Sequence, residues 1–217
     1  MARDTRAFGV AAAALIVLFT AMPGWPHHVG TYTARDNAIS ANFKQIKFSI
    51  QAGKFDVARS LFEDGALRKE MLARAGRLPP GLPDTVANAI RARDSKTAEA
   101  ALALFFSALA RDLAREADAR LADPGTGADA RVAAGGKFLE AIWRYWNLID
   151  FAVSERDPKA AVAMRLAFEE AETESQPGPR RVATAADPAR LRASFARVAR
   201  TLSDVIESLS AVTRRNS

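Results

Sequence analysis

Apolar residues recur along this chain with the period of an α-helix, in segments separated by short breaks. Placed at about 100° per residue, segment 138–156 brings five apolar side chains into one stripe: Leu139, Ile142, Trp146, Ile149 and Val153. Leu148 and Phe151 fall on roughly the opposite side, so this helix is apolar on more than one face. We therefore expect it to be surrounded by other helices, and we predict that it is the central helix of the fold.

Six further segments carry helical patterns. They are predicted from the cap candidate Asp36 to Gly53, from Phe55 to Ala75, after Asp84, over 95–122, after Asp157-Pro158 and after Asp187-Pro188. In the last two, aspartate stands at the N-cap and proline at the first helical position. The prediction is an all-α fold, an irregular antiparallel bundle of about six or seven helices preceded by an N-terminal signal or anchor helix.

One short segment resembles part of a tetratricopeptide repeat. Residues 52–62, AGKFDVARSLF, look like the turn and second helix of such a repeat. Gly53, Phe55, Ala58 and Phe62 stand where the repeat has its small and aromatic residues. No second copy follows at the expected interval, so we interpret the segment as part of a helical hairpin with similar packing.

The N-terminal residues have the pattern of a targeting segment. Arg3 and Arg6 precede an apolar run from Phe8 to Met22, which closes with helix-breaking residues. Residues 1–26 are therefore predicted to be a secretory signal peptide or, because the segment from Phe8 to Trp25 is about long enough to span a bilayer, an uncleaved membrane anchor. Both alternatives place the body outside the cytoplasm. We predict a periplasmic protein, either soluble after cleavage or anchored in the inner membrane.

The composition of the remaining chain suggests four further segments. They are a linker at 27–35, a helical bundle at 36–175, a linker rich in Pro, Gly and Arg at 176–187, and an amphipathic helix at 188–213. Within the bundle, the polar side of the 95–122 helix carries charges of both signs, which we interpret as a solvated face with local ion pairs. Gly135-Gly136 is predicted to permit a close helix contact or to mark a kink.

The last helix has a regular heptad-like seam. Its apolar residues alternate at spacings of four and three: Leu191, Phe195, Val198, Leu202, Val205 and Leu209. A seam of this kind suits packing on the chain's own bundle and docking onto another protein or the membrane surface equally well. These six residues are the candidate partner-binding residues.

Charge and residue counts limit the classes of function. The net charge is +6, and the chain from residue 180 onward carries eight arginines against three acidic residues. Basic tails bind nucleic acid, anionic lipid or acidic partners, but nucleic acid is not expected for an exported chain. There is no cysteine, and His27 and His28 are the only histidines. Disulfides, thiolate chemistry and histidine-based catalysis in the folded body are excluded, and we predict no enzyme, no cofactor and no metal site.

One polar cluster on the 138–156 helix is the candidate ligand site. Asn147, Asp150 and Ser154 form a polar flank beside the apolar stripe, with Trp143 next to them. A carboxylate at that border needs a partner or a raised pKa. Asp150 is therefore predicted either to bind a ligand or cation beside Trp143, or to pair with an arginine of a neighbouring helix and fix the packing.

The leading hypothesis is an exported, non-catalytic accessory or scaffold protein that acts through helix surfaces. Its expected partner is another protein, such as a subunit of a membrane complex, with membrane contact through the N-terminal segment. The alternative is a small-ligand or metal-binding bundle with a polar site around Asp150.

Overall fold

The protein is built of helices throughout the part of the chain that the structure describes. That structure, a computed structural model, describes residues 35–175 and 187–215. The α-helices are α1 (Ala38–Gln51), α2 (Phe55–Glu63), α3 (Ala66–Ala73), α4 (Leu82–Arg91), α5 (Ser95–Ala122), α6 (Ala128–Arg156), α7 (Pro158–Ser175) and α8 (Pro188–Arg215). A short 3-10 helix, Ala75–Arg77, follows α3. These residues contain no strand, which confirms the all-α prediction.

Three predicted segments fall mostly or wholly on residues that the structure does not describe. The signal or anchor at 1–26 lies outside the described ranges, and so does nearly all of the linkers at 27–35 and 176–187. Among the residues that are described, no helix combines the length and the apolar character needed to cross a bilayer.

The central helix is α5, so the prediction that segment 138–156 occupies the centre is wrong. Helix α5 packs against α8, α6 and α4. Every residue from 100 to 110 is buried, around the whole circumference of the helix. This stretch, ALALFFSALA after Ala100, has Ser107 as its one polar residue, so it has no polar face to turn to solvent.

Helix α6 lies beside α5 and has one uncovered face. Its predicted stripe, including Trp146 and Ile149, is buried as expected. The second apolar face is not surrounded: Leu148 is half-buried and the Phe151 side chain is 70% exposed. Helix α6 therefore carries more apolar surface than this bundle covers.

The segment from Phe55 to Ala75, predicted as one helix, forms two helices, α2 and α3. Because of this break, the described residues form eight α-helices. The Asn42 side chain explains the break. Its amide donates to the carbonyl of Leu61 at 3.0 Å and its oxygen accepts from the backbone N–H of Leu67 at 3.0 Å. Gly65 lies in the turn, where a Cβ would stand 2.1 Å from the Leu61 carbonyl oxygen.

Helix caps are partly as predicted. Asp157 and Asp187 accept from backbone N–H groups in the first turns of α7 and α8, at 3.0 and 2.9 Å. The cap of α1 is Asn37, not Asp36. Asn37 forms a reciprocal capping box with Ser40, while Asp36 pairs with Lys44 at 2.9 Å.

The helical hairpin predicted at 52–62 is present as α1 and α2. Ala58 and Phe62 of α2 are fully buried, and the two helices pack against each other. Gly53, in the connection, adopts a φ of 70°, a left-handed conformation that few residues other than glycine accept.

The six seam residues of α8 are all buried, mainly against α5. They belong to the same hydrophobic core as the residues of α1 to α7. Two of the flanking arginines attach α8 to its neighbours: Arg192 binds Asp118 of α5 at 3.0 Å, and Arg197 binds Glu170 of α7. The heptad pattern allows α8 either to pack on the chain's own bundle or to dock onto a partner. In the structure, α8 packs on its own bundle.

Candidate functional site

The polar cluster around Asp150 faces α7. Arg165 of α7 donates one terminal nitrogen to both carboxylate oxygens of Asp150, at 2.8 and 3.1 Å. The same nitrogen lies 3.4 Å from the Ser154 hydroxyl oxygen. The structure thus brings Asp150 and Ser154 together through an arginine from a neighbouring helix.

The other two residues of this cluster do not join that network. Trp143 packs its ring on Phe168 of α7, with ring centroids 4.9 Å apart, and Asn147 is exposed. The Asp150 and Arg165 side chains are 27% and 42% exposed, so their ion pair contributes less than about 1 kcal/mol. The arrangement joins α6 to α7 and leaves no carboxylate free for a ligand.

The described residues contain no group of three His, Cys, Asp or Glu side chains that could hold a metal ion. Where carboxyl pKa values are lowered, the causes are local hydrogen bonds. The pKa of Asp36 is lowered chiefly by the Lys44 ammonium, that of Asp94 by the Thr97 hydroxyl and that of Asp123 by the N–H of Gly125. Asp94 caps α5 and Asp123 orders the turn after it, so these two lowered pKa values have structural causes.

The uncovered face of α6 forms one wall of an apolar cleft, here called the α1–α6 cleft. It has a volume of about 230 Å³. Its apolar lining comes from Phe43, Ile50, Leu102, Ala103, Leu148, Ile149, Phe151 and Ala152, and its polar lining from Lys47, Gln51, Glu99 and Glu155. Helices α1 and α6 are the walls and α5 is the floor.

Helical spacing explains why these side chains meet. On α6, Leu148, Phe151, Ala152 and Glu155 stand at i, i+3, i+4 and i+7, so they share one face. Ala103 lies on the floor, where its small side chain fills little of the space between the two walls. The cleft is therefore a groove between two helices with an apolar floor and charged edges.

Phe151 is the residue in this cleft that most needs an explanation. Fully burying a phenylalanine side chain is worth about 1.5–3 kcal/mol, and most of that is not realised at 70% exposure. Isolated exposed apolar residues are ordinary, but this one borders a cleft whose other apolar side chains are buried or half-buried. A second apolar surface placed in the cleft would gain this free energy without rearranging the fold.

Sequence reasoning located half of this cleft. Leu148 and Phe151 were identified as a second apolar face of α6, but their cover was expected to be other helices of the bundle. The sequence pattern did not indicate that residues of α1 and α5 complete the cleft, because a stripe on one helix does not say where its neighbouring helix ends. The residues predicted to bind a partner, on α8, are buried elsewhere.

No protein-family model matches this chain, and comparisons with curated proteins and with solved structures find no match. The functional argument therefore depends on the surfaces of the chain itself.

Proposed function

We propose that this protein is an exported, non-catalytic accessory or scaffold protein that binds an amphipathic helix of a partner protein in the α1–α6 cleft. The observation that carries the proposal is the exposed Phe151 at the edge of that cleft, on an otherwise well-packed helix. Export is supported by Arg3, Arg6 and the apolar run that follows them. The partner would then be a periplasmic protein or a subunit of an inner-membrane complex.

The dimensions of the cleft favour a helix over a small molecule. Its volume of about 230 Å³ is below the range of about 300–1,000 Å³ that drug-sized ligands and cofactors occupy. A groove between two helices accepts the i, i+3, i+4 and i+7 side chains of a third helix, which need room for only a few apolar groups at a time.

The charged edges define the chemistry expected of that helix. Glu99 and Glu155 line the cleft together with a single basic residue, Lys47. A partner helix with an apolar stripe and flanking basic residues complements this arrangement, because opposite charges at a rim direct orientation and speed association.

The contacts that the structure contains do not favour the two other sites suggested by the sequence, the polar cluster at Asp150 and the α8 seam. Arg165 already neutralises Asp150, so a ligand there would have to displace an ion pair. Docking through the α8 seam would require six buried residues to leave α5, which would expose the centre of the core. The α1–α6 cleft requires neither change.

The test uses a photo-cross-linking amino acid at Phe151 in the full-length protein, expressed in its native compartment. Phe48 of α1 is the matched control, since its side chain is 64% exposed and does not line the cleft. We expect one dominant adduct from position 151 and none of the same protein from position 48. Mass spectrometry should locate the cross-linked peptide in an amphipathic helix with flanking basic residues.

A second comparison separates binding from folding. Phe151→Ser should reduce co-purification of the cross-linked partner at least tenfold, whereas Phe48→Ser should not. Both variants should unfold within about 0.5 kcal/mol of the unmodified protein, because both side chains are largely exposed. Equal loss of partner in the two variants, or adducts at 151 that scatter over many proteins, would refute the proposal.

A further inference from the structure

We propose a second binding site, independent of the α1–α6 cleft, in which arginines bind a phosphate dianion. It is a cleft of about 740 Å³ between the end of α3, the 3-10 helix and α5. Four of its lining residues are arginines, namely Arg74, Arg77, Arg111 and Arg115, and we call it the arginine cleft. The polar side of α5 was predicted to be a solvated face with local ion pairs, because it carries charges of both signs.

The ion pairs in this region leave two arginines without a counter-charge. Arg74 pairs with Glu70, and Arg111 binds Asp112 at 2.9 Å. The remaining lining carboxylate, Glu116, has its ion pair with Arg120 at 4.0 Å.

Arg77 and Arg115 are the two arginines that these pairs do not include. Both are exposed, and neither forms an ion pair with any residue in the described ranges. Two uncompensated guanidinium groups that line one cleft attract an anion, and a dianion neutralises both.

Phosphate fits this arrangement better than a single carboxylate. A guanidinium binds an oxyanion through two parallel N–H donors, so two guanidiniums present four donors to one ligand. A phosphate monoester carries three terminal oxygens and about −1.5 to −2 charges at neutral pH, whereas a carboxylate has two oxygens and one charge. Inorganic phosphate and the monoester phosphate of a lipid such as phosphatidic acid share this chemistry.

Arg111 gives the site a fixed element. Its side chain is only 16% exposed, and its Nε and one terminal nitrogen both donate to one oxygen of Asp112. This neutral ion pair is fixed at the inner wall of the cleft, while the exposed Arg77 and Arg115 can close on the ligand.

The first experiment is a titration of the full-length protein, purified in neutral detergent, with inorganic phosphate at low ionic strength, followed by calorimetry. Arg77→Gln and Arg115→Gln should each weaken phosphate binding about tenfold, which corresponds to the loss of one charge-assisted contact of about 1.4 kcal/mol. Arg156→Gln is the matched control. It removes the same charge from an exposed position on α6, outside the arginine cleft, and should leave binding unchanged.

The ligand class and its source are tested separately. Binding of succinate as tightly as phosphate, equal weakening by all three substitutions, or no binding to any phosphate probe would overturn the proposal. Flotation with phosphatidylcholine vesicles, with and without phosphatidic acid, distinguishes the sources. Arginine-dependent binding to the acidic vesicles assigns a lipid headgroup, and arginine-dependent binding to inorganic phosphate without vesicle binding assigns a soluble phosphate.

Discussion

Gly135 and Gly136 are adjacent residues of α6. Replacing one or the other by alanine should change the free energy of unfolding in opposite directions. Gly135 is buried against α8, where an added Cβ would lie 2.6 Å from Cδ2 of Leu191 and 3.6 Å from a ring carbon of Phe195. At Gly136 an added Cβ would meet no atom within 4 Å outside its own helix. The pair therefore separates the effect of close packing from the effect of helix propensity.

The expected magnitudes follow from two opposing contributions. Replacing a glycine inside a helix by alanine stabilises the protein by about 0.5–1 kcal/mol, and this gain applies to both positions. Leu191 is fully buried, so its side chain has no open space into which to move, and overpacking of this kind costs about 1–3 kcal/mol. Gly135→Ala should thus be less stable than Gly136→Ala by about 1–3 kcal/mol.

Urea unfolding of the full-length variants measures this difference, with circular dichroism and the fluorescence of the buried Trp146 as signals. A gap of 2 kcal/mol separates the two midpoints by about 1 M urea for a typical m-value. Gly136→Ala should unfold at the same urea concentration as the unmodified protein or at a higher one. If Gly135→Ala were as stable as Gly136→Ala, α6 and α8 could not approach as closely as described.

Two further predictions concern hydrogen bonds that join helices or begin them. Asn42→Ala should destabilise the protein by about 2–4 kcal/mol, because it removes the hydrogen-bond partners of the Leu61 carbonyl and the Leu67 N–H. Urea unfolding measures this change, and a value below about 0.5 kcal/mol would contradict the prediction. Asp94 accepts from the Thr97 N–H at 3.0 Å, and the Thr97 hydroxyl lowers its pKa in the folded state. Its contribution to stability is therefore complete above the unfolded pKa of about 3.9 and is lost as the pH falls through the lower folded pKa. Thermal unfolding between pH 6 and 2 should show a weaker acid dependence for Asp94→Asn, and identical pH profiles would contradict the assignment.

The local pattern of the sequence predicted most of the helices. The segment 95–122 coincides with α5, and the Asp-Pro pairs at 157 and 187 begin α7 and α8, because caps and breaks depend on residues within one turn. The cap of α1 was displaced by one residue, from Asp36 to Asn37. Both residue types are good caps, and the choice depends on the reciprocal bond from Ser40.

The contacts between helices were much less predictable. The break between α2 and α3 depends on Asn42, which is distant in sequence from the turn that it holds. Similarly, an arginine partner for Asp150 was foreseen as one alternative, but its identity as Arg165 depends on how α7 lies beside α6. A periodic pattern describes which face of a helix is apolar and does not identify the neighbour.

The sequence pattern alone was sufficient to predict the helical class, the bounds of α5, the starts of α7 and α8, and the buried stripe of α6, although α6 begins at Ala128, ten residues before the predicted segment 138–156. The residue counts likewise excluded cysteine and histidine chemistry in the body. The central position of α5, the packing of the α8 seam within the bundle and the open cleft beside Phe151 became clear only from the packed helices. The physical reason is that hydrophobic burial is non-directional. It favours covering every apolar face, but which faces are covered depends on the relative lengths and packing of all the helices together.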